Sequence, residues 1–171
     1  LHVRSRRQRQ MCIRDSAESL DGDFGSTLTA LAADHGVVIV AGLVETASDA
    51  QHVHNTVVAV RGDGMLASYR KQHLYDAFGQ TESDWIEAGD LGAATFELAG
   101  IRFGLMTCYD LRFPEVSRTL IDAGADALVV PAEWVRGPLK EHHWTTLLAA
   151  RAIENTCLLY TSPSPRDVEE S

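Results

Sequence analysis

The chain has 171 residues, 45% of them hydrophobic, which is enough for one domain with an apolar core and argues against wholesale disorder. Its formal net charge of −9 argues against a nucleic-acid-binding protein, because such proteins usually present a basic surface. No apolar stretch has the length of a membrane span, so neither nucleic acid nor a membrane is an expected partner.

The two ends differ in composition from the middle of the chain. Residues 1–16 carry five Arg and one Asp, and residues 157–171 are rich in Ser and Pro. We expect both ends to be non-native tails, because "MCIRDS" and "CLLYTSPSPRD" resemble translated sequencing-adaptor read-through. The alternative is an interaction module in which residues 1–16 form a basic arm for an acidic partner. Residues 17–156 would then form the native domain.

The three cysteines, Cys12, Cys108 and Cys157, are odd in number and far apart. This spacing argues against a disulfide framework and against a metal site, and it favours a reducing, cytoplasmic setting. If both ends are non-native, Cys108 is the only native thiol.

Hydrophobic patterning predicts a helix over residues 23–35 that stops at Gly36. The β-branched run at 37–45 predicts a strand buried on both faces. Residues 55–60, the turn "RGDG" and the return "MLASYRK" predict a hairpin. Residues 72–92 contain few apolar runs and predict a long functional loop.

The second half begins with a predicted strand, a bend at Ala99 and Gly100, and a second strand. A helix is predicted to begin at Pro114, because proline is favoured at the first helical position. "DALVVPA" predicts a buried strand, and residues 140–156 a final helix. Strands that alternate with helices and also form hairpins predict an α/β layered fold.

Cys108 lies in "GLMTCYDLRFPE", at the end of a predicted strand and just before a helix. Such a turn presents a nucleophile beside backbone N–H groups that stabilise an oxyanion, and a helix N-terminus lowers the pKa of a thiol. Lys71, just after the hairpin, would stabilise both a thiolate and an oxyanion. The pattern predicts a cysteine nucleophile with a lysine partner, and a carboxylate for proton transfer. The alternative is a buried structural cysteine.

Three blocks of the sequence resemble the carbon–nitrogen hydrolase (nitrilase) superfamily, in the right order and spacing. They are "NTVVAVRGDGMLASYRKQHLYDAFG", "GLMTCYDLRFPEVSR" and "GADALVVPAEWVRGPLKEHHWTTLLAARAIENT". The resemblance implies an α-β-β-α sandwich, a Glu–Lys–Cys triad and a thioester with the acyl part of the substrate. It makes Cys108 the nucleophile and Lys71 the catalytic lysine, and it assigns the backbone N–H of Tyr109, with Lys71, to the oxyanion hole. Glu82 matches the second active-site glutamate.

One departure from the family pattern concerns the general base. The family's base glutamate lies in a "PE" motif upstream of the block that begins at Ala17, where this chain has only the predicted tail. We therefore expect a partial sandwich that lacks N- and C-terminal elements, and impaired turnover in this fragment of an active full-length parent. Glu45 is the alternative base. The alternative function is that of a non-catalytic, truncated or decayed family member that only binds.

Several further residues are candidates for the pocket. Glu45, Arg112, Glu133 and Trp134 are expected near it, Arg112 as a partner for a substrate carboxylate and Trp134 mainly as a packing residue. Three others, His73, Asp110 and Glu115, are expected to be structural, the last two in an ion-pair network with Arg112 that holds the turn after Cys108.

"CYDLRFPE" resembles the branch of the superfamily that hydrolyses small amides, which includes omega-amidases and deaminated-glutathione amidases. The resemblance implies a small-molecule amide substrate and no metal or organic cofactor. It also implies a homo-oligomeric full-length parent.

Overall fold

The computed structural model describes residues 13–49, 51–77, 79, 81–135 and 137–160. Most of both predicted tails, residues 1–12 and 161–171, lies outside the described residues, so their non-native origin stays a prediction. No helix within the described ranges is long and apolar enough to cross a membrane.

Two β-sheets form the centre of the fold. The first is antiparallel, in the order β1-β2-β3, with strands at Ile39–Thr46, Val53–Arg61 and Gly64–Arg70. The second has the order β4-β5-β6-β7, with strands at Thr95–Leu98, Ile101–Leu105, Ala127–Val129 and Leu158–Tyr160. In this sheet β4 and β5 are antiparallel, whereas β5, β6 and β7 are parallel. Strand β7 falls in the predicted C-terminal tail, so the first residues of that segment are part of the sheet.

Three apolar layers hold the elements together. Helix α1, at Asp23–His35, packs on the first sheet, where Leu28 and Ala32 meet Val58 and Val60 of β2. Between the two sheets lies a second layer, formed by Val57, Ala59, Tyr69, Phe96 and Leu105. Helices α2 (Pro114–Asp122) and α3 (Lys140–Asn155) cover the other face of the second sheet. This order of layers confirms the predicted α-β-β-α sandwich.

The strand buried on both faces is β2, and the prediction of such burial for residues 37–45 is wrong. Strand β1 lies at the edge of the first sheet, and Glu45 is its only fully buried residue. In β2 successive side chains alternate between α1 and the second sheet, so both sets are buried. A run of β-branched residues indicates a strand, but its place in the sheet depends on its neighbours.

The predicted turns are found where expected. Gly36 ends α1 with a φ of 63°, a left-handed conformation that glycine adopts without strain. Ala99 and Gly100, with φ values of 53° and 80°, form the bend between β4 and β5. Pro114 is the first residue of α2.

We expect Leu120→Ala to lower the free energy of unfolding by about 2–5 kcal/mol, because truncating a fully buried leucine leaves a cavity. The same contact limits Gly104, since an added Cβ would lie 3.1 Å from the Leu120 Cβ. Gly104→Ala should therefore cost about 1–3 kcal/mol by overpacking. Urea unfolding measures both. Ile153→Ala, at a position that is 77% exposed, is the matched control, and a loss there equal to that of Leu120→Ala would contradict the assignment.

Candidate active site

A cavity of about 820 Å³ opens at the ends of three strands from the two sheets. Lys71 directly follows β3, Cys108 follows β5, and Glu133 and Trp134 follow β6. Of the residues predicted for the site, all but Glu45 line this cavity: Lys71, Glu82, Cys108, Tyr109, Arg112, Glu133 and Trp134. The fold therefore brings together residues that lie up to 63 positions apart, the separation of Lys71 and Trp134 (134 − 71).

Cys108 occupies a strained position at the start of a 3-10 turn. Its φ of 46° lies in the left-handed region, which non-glycine residues rarely adopt and which is found mostly at functional sites. Its N–H donates to the carbonyl of Pro131 at 3.0 Å, and its Sγ lies 3.6 Å from the carbonyl oxygen of Glu133. The backbone after β6 thus holds the half-buried thiol at the cavity wall.

The surroundings of the thiol raise its pKa above the usual value for cysteine. Burial is the largest cause, the positive charge of Lys71 opposes it, and the negative charges of Glu82 and Asp110 add to it. The sequence predicted that Lys71 and the helix N-terminus would lower the pKa of Cys108. This prediction is wrong, because burial outweighs the charge of Lys71. The thiol is protonated at neutral pH and must lose its proton as it reacts.

Lys71 and Glu82 form a nearly buried ion pair. The Lys71 Nζ donates to the Glu82 Oε2 at 2.5 Å, and the two side chains are 3% and 14% exposed. The backbone N–H of Tyr75 donates to the same oxygen at 2.6 Å. Backbone hydrogen bonds to Asn55 and Gly89 hold Lys71 itself. Because burying two charges is costly, such a pair at a cavity wall indicates function more than stability.

Tyr109 is the second residue of the turn Cys108–Arg112, so its backbone N–H has no acceptor within the turn. Its ring stands edge-on to the rings of Tyr75 and Phe113. The N–H next to the thiol and the Lys71 ammonium group are the two donors that the sequence predicted for an oxyanion.

Arg112 is not part of the predicted ion-pair network, and this corrects that expectation. Its guanidinium carbon lies 5.0 Å from the Trp134 ring centre and 5.7 Å from that of Tyr109, at the cavity wall. One terminal nitrogen is 3.4 Å from the His143 Nδ1, and its buried Nε has no hydrogen-bond partner among the described residues. Glu115 is 64% exposed and lies 4.0 Å from the His73 Nε2. Arg112 therefore brings a positive charge to the cavity wall that no carboxylate of the described residues pairs with.

Glu45 lies outside the cavity lining, which corrects its prediction as a pocket residue, whereas its role as an alternative base stays a prediction. Its carboxylate accepts hydrogen bonds from Arg70, at 2.5 and 2.9 Å, and from the Thr56 hydroxyl at 2.7 Å. Glu45 therefore has a structural role.

We expect the contribution of Glu45 to stability to disappear in acid. Burial raises its pKa, but the hydrogen bonds from Arg70 and Thr56 outweigh burial, so the pKa in the folded protein is lowered. The contribution is fully present above the unfolded value of about 4.3 and is lost as the pH falls through the lower folded value. Urea unfolding should show that the stability gap between the parent and Glu45→Gln shrinks below that pH. The stability difference between the parent and Ser117→Ala, a variant that removes no titrating group, should stay constant over the same pH range.

Tyr75 and Lys140 are among the residues of the cavity wall that were not predicted from the sequence. Tyr75 follows Lys71 in the loop, and Lys140 begins α3. The Lys140 Nζ donates to the Tyr75 hydroxyl at 3.2 Å and lies 5.5 Å from the centre of its ring. An aromatic residue four positions after the lysine was the one available signal. Trp134 was predicted mainly to pack, and its Nε1 donates to the Lys140 carbonyl at 2.8 Å while its ring contacts Trp144.

A half-buried thiol on a strained turn, beside a buried lysine–glutamate pair, is typical of enzymes that act through a cysteine nucleophile. The Carbon-nitrogen hydrolase family model matches residues 11–162 of the chain. The chain therefore belongs to the carbon-nitrogen hydrolase family, of the nitrilase superfamily, which confirms the resemblance seen in its sequence blocks.

Among curated relatives, the deaminated glutathione amidase of Escherichia coli O157:H7 is 44% identical over 144 residues, which are 84% of this chain and 55% of the relative. The 2-oxoglutaramate amidase of Bacillus subtilis is 40% identical over 136 residues, 78% of this chain and 50% of the relative. The chain thus spans about half the length of these proteins.

Among solved structures, an amidase from Nesterenkonia sp. AN1 matches with a TM-score of 0.76 and 26% identity, over 90% of this chain and 59% of that one. That structure is a glutamate-to-glutamine mutant that shows the result of Michael addition of acrylamide at the active-site cysteine.

Proposed function

We propose that this chain attacks the carbonyl carbon of small amides with Cys108 and forms a thioester. The observation that carries the proposal is the placement of Cys108, Lys71 and Glu82 at the wall of one cavity. The names of the two amidases support the reaction type, and the acrylamide adduct of the Nesterenkonia amidase supports a reactive cysteine in this fold.

The first half-reaction is acylation. The thiol proton passes to Glu82, Sγ bonds to the carbonyl carbon, and the electron pair of the C=O bond moves to oxygen. The Lys71 ammonium group and the Tyr109 N–H donate to this oxyanion. Collapse breaks the C–N bond, and the proton returns from Glu82 to the departing nitrogen, which leaves as ammonia or an amine.

The second half-reaction consumes a water molecule, which gives its proton to a carboxylate and attacks the thioester. The products are a carboxylic acid and the restored thiol. Two carboxylate side chains, Glu82 and Glu133, line the cavity within the described ranges. Of the two, Glu82 is the one paired with Lys71, so we assign to it both the acylation proton and the activation of the water. Deacylation is therefore slow, and the overall turnover of this chain is impaired.

The substrate carries a carboxylate in addition to its amide. The Arg112 guanidinium lies at the cavity wall and has no carboxylate partner among the described residues, so a substrate carboxylate would supply one. Lys140, also at the wall, adds a second positive charge. A small amide with an anionic end would place that end near Arg112 and its carbonyl group near Cys108.

The test uses the full 171-residue chain and intact-protein mass spectrometry after acid quench. Acrylamide, fluoroacetamide and a panel of small amides with and without a carboxylate serve as probes, and peptide mapping locates the adduct. We expect one adduct, on Cys108, that is absent in Cys108→Ala. The carboxylate-bearing amides should lose their preference in Arg112→Met. Equal labelling of Cys157, or amide binding by calorimetry without any adduct, would overturn the proposal and favour a non-catalytic binding protein.

A further inference from the structure

Asp110 is a fully buried carboxylate that accepts four hydrogen bonds. Its Oδ2 accepts from the Tyr69 hydroxyl at 2.8 Å and from the Thr107 N–H at 3.2 Å. Its Oδ1 accepts from the backbone N–H of His73 at 3.0 Å and from the His73 Nδ1 at 3.1 Å. The exposed fraction of Asp110 is zero, so water does not replace these donors. Loss of the carboxylate would leave buried donors such as the Tyr69 hydroxyl without a partner.

The four donors come from two separate parts of the chain. Tyr69 and His73 lie two residues before and two residues after Lys71, whereas Thr107 directly precedes Cys108. Strand β3, which ends before Lys71, belongs to the first sheet, and β5, which leads to Cys108, belongs to the second. A single carboxylate therefore joins the segment that carries the lysine to the segment that carries the thiol.

We propose that Asp110 is a positioning residue that fixes the Lys71 ammonium group relative to the Cys108 thiol. The inference rests on the proposed function for its significance, but the geometry it concerns is a property of the folded chain. The bond to the Thr107 N–H also closes a capping box at the start of the turn, so Asp110 determines the strained backbone of Cys108 as well.

The contacts of His73 make this connection rigid. The His73 ring stacks on Phe113, with ring centres 3.7 Å apart. Its Nδ1 faces Asp110, so Nδ1 carries the proton in the bonded tautomer. Tyr69 is also a dependable donor, because burial, and then the charge of Asp110, raise the pKa of its hydroxyl. The Tyr69 hydroxyl thus remains a donor across the neutral pH range.

The Asp110→Asn variant keeps the shape of the side chain but replaces one acceptor oxygen with an NH₂ group. Whichever way the amide turns, one backbone N–H, that of Thr107 or that of His73, loses its acceptor. Tyr69→Phe is milder, since it removes one donor and no charge. Ser117→Ala is the matched control: Ser117 is also fully buried, and its hydroxyl donates to the Pro114 carbonyl and accepts from Asn155 in α3, away from the cavity.

The experiment measures the pKa of Cys108 from the pH dependence of its alkylation by iodoacetamide, in the full chain, with and without Lys71→Met. Three charged groups act on this thiol, namely Lys71, Glu82 and Asp110. The quantity compared is the pKa change caused by Lys71→Met in each background. We expect Asp110→Asn to reduce that change to less than half, and Ser117→Ala to leave it as in the parent.

An unchanged Lys71 effect in the Asp110→Asn background would overturn the proposal, because a purely electrostatic or structural role of Asp110 predicts additive shifts. If circular dichroism shows that Asp110→Asn is unfolded, Tyr69→Phe decides the question by the same criterion. Alkylation does not require amide hydrolysis. Failure of the proposed amidase function would therefore appear as missing amide adducts, whereas failure of this inference would appear as additive pKa shifts.

Discussion

The Lys71→Met variant is expected to acylate Cys108 about 10²–10³-fold more slowly than the parent chain, because it removes one of two oxyanion donors. Methionine has a similar length and no charge, so the cavity keeps its shape. Charge stabilisation is strong at this position, since Lys71 is only 3% exposed. Acid-quenched mass spectrometry of the acyl-enzyme, followed over time with a carboxylate-bearing amide, measures the rate.

Two controls separate this chemical role from a loss of stability. Removing Lys71 leaves Glu82 in a mostly buried position without its partner, which typically costs about 3–5 kcal/mol. The double variant Lys71→Met with Glu82→Gln removes that unpaired charge and should recover part of the stability without recovering the rate. Arg70→Met changes the neighbouring cation, which is bound to Glu45 outside the cavity. Equal slowing by Arg70→Met would show that the effect does not depend on the oxyanion.

The Glu82→Gln variant is expected to hydrolyse amides about 10²–10⁴-fold more slowly, because a glutamine cannot carry the proton between the thiol and the departing nitrogen. The same substitution removes a negative charge that raises the pKa of Cys108. Alkylation of Cys108 by iodoacetamide at neutral pH should therefore be as fast as in the parent or faster. Single-turnover ammonia release should fall, whereas alkylation measured on the same preparation should not.

This contrast makes the prediction specific to proton transfer. A variant that only disturbed the shape of the cavity would slow ammonia release and alkylation alike. Glu87→Gln is the matched control, because Glu87 is an exposed glutamate outside the cavity lining. Parallel slowing of ammonia release and alkylation in Glu82→Gln would assign Glu82 a structural role and leave the proton carrier unidentified.

Local sequence patterns determined the elements and their ends. Helix α1 stops at Gly36, the second sheet bends at Ala99 and Gly100, and α2 begins at Pro114. These features depend on the conformational preferences of single residues and on the spacing of apolar side chains, and both are local properties of the sequence. The place of Cys108, at the end of a strand and the start of a turn, was predictable for the same reason.

Tertiary structure alone decided which groups meet. Arg112 lies against Trp134 in the cavity instead of in an ion pair, and Glu45 binds Arg70 instead of lining the pocket. Asp110 contacts Tyr69 across 41 positions of sequence. The contact between Asp110 and Tyr69 depends on how the two sheets stack, and the other two depend on which strands and loops become neighbours within one sheet. No periodicity within a single strand encodes either. The upward shift of the Cys108 pKa has the same origin, because burial is a property of the packed layers and not of the residues beside the thiol in sequence.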